Sequence, residues 1–326
     1  MGCDQEDMLV QKVCEIYDSI STLESLKPSK DVNTLFTELV LICMPPSPID
    51  VTKLSVTIQE IRSKLIRLCG QAEGLLESHF STLLGSFETP LDHINIFPYY
   101  TNYLKLGHLE FTILNKHISN PNPNRIAFIG SGPLPLTSIV LASYLRTTTF
   151  HNYDVDPLAN KLALNLVSAD ADLSKRMFFH TTDVMDVSNV LNDYDVVFLA
   201  ALVGMNKEEK STVIGHLAEY MAPGSILMLR SAHGARGFLY PVIDPSDLIG
   251  FEVLSVFHPM DEVINSVIIA RKYEKKPVLV HPVIDHQGLA PAMVLPTKCS
   301  EIQGFNHTDR SGMIEELAIH DQEQLI

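Results

Sequence analysis

The stretch Phe128-Ile129-Gly130-Ser131-Gly132-Pro133 decides the fold of this chain. It closes a short apolar run, Arg125–Gly130, and leads into a helical pattern over Thr137–Leu145. Glycines at such a turn let the backbone approach a ligand closely, and the helix behind offers unpaired N–H groups. Taken alone the turn is a weak signal, because an ordinary strand-to-helix connection can carry the same residues. The surroundings strengthen it. Strands are predicted over Thr148–Tyr153, Arg176–His180, Asp195–Ala201 and Ser225–Arg230, with helices over Pro157–Ser168 and Lys207–Tyr220. Strands alternating with helices imply a parallel sheet covered on both faces. The last two runs, Phe251–Phe257 and Ser266–Arg271, are joined by a polar loop too short for a parallel crossover, so they are expected to be antiparallel.

An open α/β sheet that ends in an antiparallel hairpin is the architecture of class I methyltransferase-like (Rossmann-like) domains. This one is preceded by helices. Leu9, Val13, Ile16, Tyr17, Ile20 and Leu23 recur at helical spacing, a second pattern spans Leu35–Ile42, and a longer one follows from Leu54. Met44-Pro45-Pro46-Ser47-Pro48 stops any helix, and Pro98 suits the first turn of a last helix reaching His117. Asn120-Pro121-Asn122-Pro123-Asn124 reads as a linker. The expected division is a helical domain over 1–120, a sheet domain over 121–274 and a weakly structured tail over 275–326.

The strand ends specify a ligand. Asp154 stands 24 residues beyond Gly130 at the end of the second strand, where a carboxylate accepts hydrogen bonds from ribose hydroxyls. Asp183, after the third strand, is placed to receive an adenine amino group. With Gly130, Ser131 and Gly132 they line one sheet edge, where open α/β sheets bind ligands. A dinucleotide is disfavoured because Pro135 occupies the place of the third glycine, and no GxxxxGK[ST] motif exists for ATP. The terminal hairpin points to S-adenosylmethionine.

The helical part carries unusual polar groups. On a helix from Pro98, the residues Tyr99, Tyr103, Leu106, Glu110, Ile113 and His117 share a face. On the preceding helix Cys69, Glu73, Leu76, Glu77 and Phe80 do so. Glu73 and Glu77 would repel if both were buried and ionised, and spacing alone leaves open whether they are simply solvated. Arg230, His233 and Arg236 form a basic cluster after the fifth strand; arginine's fork suits a carboxylate, and surface ion pairing is the plainer alternative.

Composition narrows the partners. Lys and Arg number 24 against 39 Asp and Glu, a net charge of −15 that repels nucleic acid and anionic lipid. No apolar run is long enough to span a bilayer, and the acidic start lacks the basic region of a secretory signal. The five cysteines, Cys3, Cys14, Cys43, Cys69 and Cys299, lack zinc spacing and read as reduced thiols of a cytoplasmic protein without a metal site. Oligomeric state stays open, a homo-oligomer included.

Together, Pro90-Leu91-Asp92-His93, Asn95, Phe97-Pro98-Tyr99-Tyr100, Asn102-Tyr103-Leu104, Gly130-Ser131-Gly132-Pro133-Leu134-Pro135 and Arg230-Ser231-Ala232-His233-Gly234-Ala235-Arg236 resemble the plant nicotianamine synthase family over roughly residues 5–275. The resemblance implies an aminocarboxypropyl transferase in which S-adenosylmethionine is the substrate and no metal is required. It implies a glutamate base from the helical part with a tyrosine nearby. Glu77 and Tyr103 are the first assignment, with Glu73 and Glu110 as competitors. Tyr99, His233 and one of Arg230 and Arg236 would contact substrate. A small-molecule methyltransferase remains the alternative, because it shares everything in the sheet domain.

Overall fold

The computed structural model describes residues 2–118 and 120–274; the expected tail over 275–326 lies outside the described residues. Its first part is helical: α1 (Gly2–Ser21), α2 (Lys30–Cys43), α3 (Val56–Leu84) and α4 (Tyr100–His117). Ser29 caps α2 by accepting the Val32 N–H, and the helix ends where the run of prolines begins. The start of α4 differs from the expectation. A 3₁₀ turn over Pro90–Ile96 and a further turn through Pro98 precede it, with the Tyr100 N–H donating to the Phe97 carbonyl at 3.0 Å. Pro98 therefore shapes the approach to the helix and lies outside its first turn.

The second part alternates as the apolar runs require. Its elements are β1 (Arg125–Ile129), α5 (Leu136–Tyr144), β2 (Thr149–Asp154), α6 (Pro157–Ser168), α7 (Leu173–Arg176), β3 (Met177–Thr181), β4 (Val196–Leu199), α8 (Lys207–Tyr220), β5 (Ile226–Ser231), β6 (Phe251–Phe257) and β7 (Ser266–Lys272). They build one seven-stranded sheet in the order β3-β2-β1-β4-β5-β7-β6. β1 to β5 are parallel, while β7 runs antiparallel to both β5 and β6, with an irregularity between Val253 and Ser255. Every residue of β4 and β5 is buried, as expected for strands covered on both faces. The strand order reverses between β1 and β4, which opens a crevice at their carboxyl ends.

The helices close over that crevice because they share cores with the sheet part. Val13, Ile16, Ile20, Leu39 and Leu65 pack with Ala235, Phe238 and Leu239 from beyond β5. Leu84, Ile94 and Phe97 pack with Leu134, Leu136 and Leu166. Leu106, Ile113 and Leu114 of α4 join the sheet-face cluster around Phe128 and Phe198.

Candidate active site

The glycine turn leaves β1 in a conformation that side chains resist. Gly130 has φ +79° and Gly132 φ +65°. A Cβ at Gly130 would run into Val203 Cγ2, and one at Gly132 would stand 2.8 Å from Glu77 Oε2. The turn is tied to β2. Gly130 N–H donates to the Tyr153 carbonyl at 2.8 Å, and Gly132 N–H donates to Asp154 Oδ2 at 2.9 Å. The second carboxylate oxygen of Asp154 accepts the Asp156 N–H at 3.0 Å. Ser131 Oγ is buried without a hydrogen-bond partner among the described residues, a costly arrangement that a ligand's polar group would relieve. Glycines with no room for side chains beside an orphaned hydroxyl and a carboxylate fit an adenosyl ligand. Asp183 is exposed at the next strand end and accepts the Met185 N–H at 2.9 Å, so its turn is fixed from within.

From the other side, α3 and α4 bring Glu73, Glu77 and Tyr103 together. Tyr103 Oη stands 3.0 Å from Glu77 Oε1 and 3.3 Å from Glu73 Oε1, and its single proton can serve only one of them at a time. Tyr240 Oη donates to Glu73 Oε2 at 2.9 Å. Burial pushes the Glu77 carboxyl well above the usual range, and the neighbouring Glu73 charge adds to the shift. Burial raises Glu73 as well, against the opposing effects of the Tyr240 hydrogen bond and the Arg230 charge. Burial and the two glutamates hold the Tyr103 phenol protonated. Tyr99 packs edge-on to Phe97 at 5.9 Å beside this group, and burial raises its phenol too.

The basic cluster divides three ways. Arg230 makes a two-pronged ion pair with Glu110, Nε to Oε1 at 2.8 Å and Nη2 to Oε2 at 3.0 Å, and Nη2 also donates to Thr137 Oγ1 at 2.6 Å. No hydrogen bond donated by Nη1 is found among the described residues. Glu110 is thus engaged at both oxygens and is not arranged as a base, in contrast to its place among the competitors. Arg236 departs further from expectation. Its guanidinium donates to the carbonyls of Met44, Pro259, Asp261 and Val263, which joins the loop after α2 to the β6–β7 loop. All five of its N–H donors are occupied, so it has none for a substrate carboxylate. His233 is exposed, stacks on His258 at 4.1 Å and lines a separate cavity of about 270 Å³ with Pro45–Pro48, Arg236, Pro259 and Met260.

Three contributors carry no local sequence signal of their place. Tyr240 follows the basic cluster within an apolar run, and Thr137 follows the glycine turn; only proximity in space shows their partners. Lys210 is buried and donates to the carbonyls of Ala200 and Ala201 at 3.0 and 2.8 Å, which pins the loop after β4. Burial lowers its ammonium to about 7. Among the described residues no cluster of three or more His, Cys, Asp or Glu is placed to hold a metal ion, and no helix is long and apolar enough to cross a membrane. Cys14, Cys43 and Cys69 are free thiols.

The sheet order, the glycine turn and the β2 carboxylate define the class I methyltransferase-like fold. Solved structures of MtNAS share it: one of a mutant aligns with a TM-score of 0.69 at 21% identity, covering 81% of this chain and 98% of that one. Another, of MtNAS in complex with MTA and tNA, gives 0.68 at 22% identity over 80% and 97% of the two chains. The family model described as nicotianamine synthase protein matches residues 3–277. Nicotianamine synthase of Solanum lycopersicum is 63% identical over 98% of this chain and its own whole length. Nicotianamine synthase 3 of Arabidopsis thaliana is 56% identical over 99% of each. The chain belongs to the nicotianamine synthase family.

Proposed function

We propose that the protein condenses three molecules of S-adenosylmethionine into nicotianamine and releases three of 5′-methylthioadenosine. Family membership supports this reading, and one contact carries its mechanism: the Glu77 carboxylate rests against Gly132 of the turn assigned to the adenosyl group. The helical residues 1–120 supply the base, and the sheet residues 121–274 supply the adenosyl cradle. Asp154 holds the ribose, Ser131 turns its free hydroxyl to the ligand, and Asp183 faces the adenine amino group.

An α-ammonium is no nucleophile until it loses a proton. Glu77 takes that proton in its ionised form, and burial, which raises its pKa, brings its basicity nearer to that of the amine. The freed lone pair attacks the γ-carbon of a second methionyl chain, the C–S bond breaks, and its electron pair stays on sulfur. The sulfonium leaves as a neutral thioether, so the step calls for neither acid nor metal. Two such transfers join three chains, and a third, within the product, closes the azetidine ring. Tyr103 orients Glu77, Glu73 balances the cationic amines, and the uncommitted Nη1 of Arg230 receives a substrate carboxylate, with Tyr99 alongside. The net charge of −15 is in keeping with a small-molecule enzyme that avoids nucleic acid, and the free thiols with a cytoplasmic location.

Incubation of purified protein with S-adenosylmethionine alone, with products identified by mass, tests the proposal. Methylthioadenosine and nicotianamine are expected. S-adenosylhomocysteine in their place would support the methyltransferase alternative.

A further inference from the structure

Helix α3 crosses the crevice between β1 and β4 with one stripe of residues, Gly70, Gly74, Glu77 and Ser81. Three of the four touch the sheet part. A Cβ at Gly70 would meet Met205 Cε at 3.2 Å and Leu202 Cδ1 at 3.4 Å, from the loop after β4. Glu77 meets Gly132, and Ser81 Oγ donates to the Pro133 carbonyl at 2.7 Å. The same helix face is thus anchored to both lips of the crevice.

Gly74 lies between the anchors and meets nothing. Beyond its chain neighbours and the backbone of its own helix turns, a Cβ built there has no atom of a described residue within 4 Å, although the residue is half-buried. Glycine is among the least favourable residues inside a helix, and here no neighbour requires it. Gly215 of α8 makes the contrast: it also has free space around a built Cβ, but it is exposed on the outer side of its helix. Gly74 shares the stripe whose other members, Gly70, Glu77 and Ser81, meet the sheet part at the crevice. Gly70 and Glu77 are about 10 Å apart along the helix axis. One end of the gap is apolar, from Leu202 and Met205, and the other carries the Glu77 carboxylate.

We infer that Gly74 is a specificity-determining residue, which keeps open the passage along α3 that an aliphatic chain bearing a cationic amine occupies during transfer. The inference rests on the functional reading above. An alkyl chain matches the Leu202–Met205 end, and its amine matches Glu77. The passage matters most when the chain is longest, so a side chain at position 74 penalises later transfers more than the first.

The test compares Gly74→Ala and Gly74→Leu with Gly215→Ala in the full chain. Gly74→Ala and Gly215→Ala are each expected to leave Tm unchanged or to raise it by about 2 °C, as helix propensity dictates. Gly215→Ala keeps wild-type turnover. Gly74→Ala lowers formation of the final product about 10-fold, the order expected for one methylene in a fitted site, and partly condensed intermediates accumulate. Gly74→Leu, a good helix former, stops the sequence after the first transfer or earlier. A fall in Tm for Gly74→Ala would show that the space is not free, and wild-type turnover and product profile in that variant would show that it is not used; either overturns the inference. Should wild-type protein release no methylthioadenosine, the functional reading fails on its own, while the Tm comparison still reports on the space at Gly74.

Discussion

Glu77 and Gly132 are in contact across the boundary between helices and sheet: a methyl group on Gly132 would come within 2.8 Å of the Glu77 carboxylate. Because Gly132 also donates its N–H to Asp154, one residue connects the proposed base to the proposed ribose acceptor. Gly132→Ala combines a positive-φ conformation, which costs about 1–2 kcal/mol for other residues, with displacement of Glu77. The variant should melt lower and lose turnover by a larger factor than its stability implies, which parallel melting and activity measurements will show. Activity near wild type would mean that Glu77 tolerates displacement from the turn.

Asp154, the proposed ribose acceptor, also holds the turn by accepting Gly132 N–H and Asp156 N–H. Asp154→Ala is expected to weaken S-adenosylmethionine binding by about 1.5–3 kcal/mol, the range for a hydrogen bond to a charged group. Asp154→Asn, which keeps one acceptor for the turn, should preserve more of the melting temperature than of the affinity. Calorimetry that finds unchanged affinity in both variants would remove Asp154 from the site.

The Glu110–Arg230 pair is buried and two-pronged, and it lies within electrostatic reach of Glu73 and Glu77. Although burial opposes its charge, the adjacent Glu110 keeps Arg230 firmly protonated. Removing one partner strands the other, so Glu110→Ala should destabilise by about 3–5 kcal/mol in denaturant unfolding. The joint change Glu110→Leu with Arg230→Met should recover most of that stability and still fail to bind substrate well. Recovery of full activity would show that Arg230 is only structural.

The sheet was legible because each strand announces itself: β4 and β5 as continuous apolar runs, and β6 and β7 through the short loop that forces them antiparallel. Glu73, Glu77 and Tyr103 were legible as sharing helix faces, because helical periodicity carries that information. What neither periodicity nor spacing carries is the pairing between elements. Arg236 and Arg230 look equivalent in the chain, yet one is consumed by backbone carbonyls and the other keeps a free nitrogen. Tyr240 reaches Glu73 across 167 positions, a contact no local pattern encodes. Pro98 serves the turn before α4 as well as it would serve a first helical turn, so the residue type alone does not mark where the helix starts.

Burial raises the Glu77 carboxyl in the folded chain above its ordinary value of 4.5, so the folded state holds a proton that the unfolded chain releases. The resulting stability is fully present below pH 4.5 and is lost as pH rises through the folded value. Glu77→Gln removes the ionisation, so its melting temperature should gain on that of the wild type as pH is raised above 4.5. A difference that stays flat with pH would contradict the raised pKa of the buried Glu77 carboxyl.

The central claim is that Glu77 is the base in every transfer, while the adenosyl group is held by the opposite wall of the crevice. Glu77→Gln preserves size and hydrogen bonding to Tyr103 but removes basicity. Turnover of S-adenosylmethionine to methylthioadenosine should fall about 10²–10⁴-fold, with S-adenosylmethionine affinity within a few-fold of wild type. Glu73→Gln, one helical turn away and bound to Tyr240, should fall much less. Near-normal methylthioadenosine release by Glu77→Gln would contradict the account, and a collapse of Glu73→Gln instead would move the base one turn along α3.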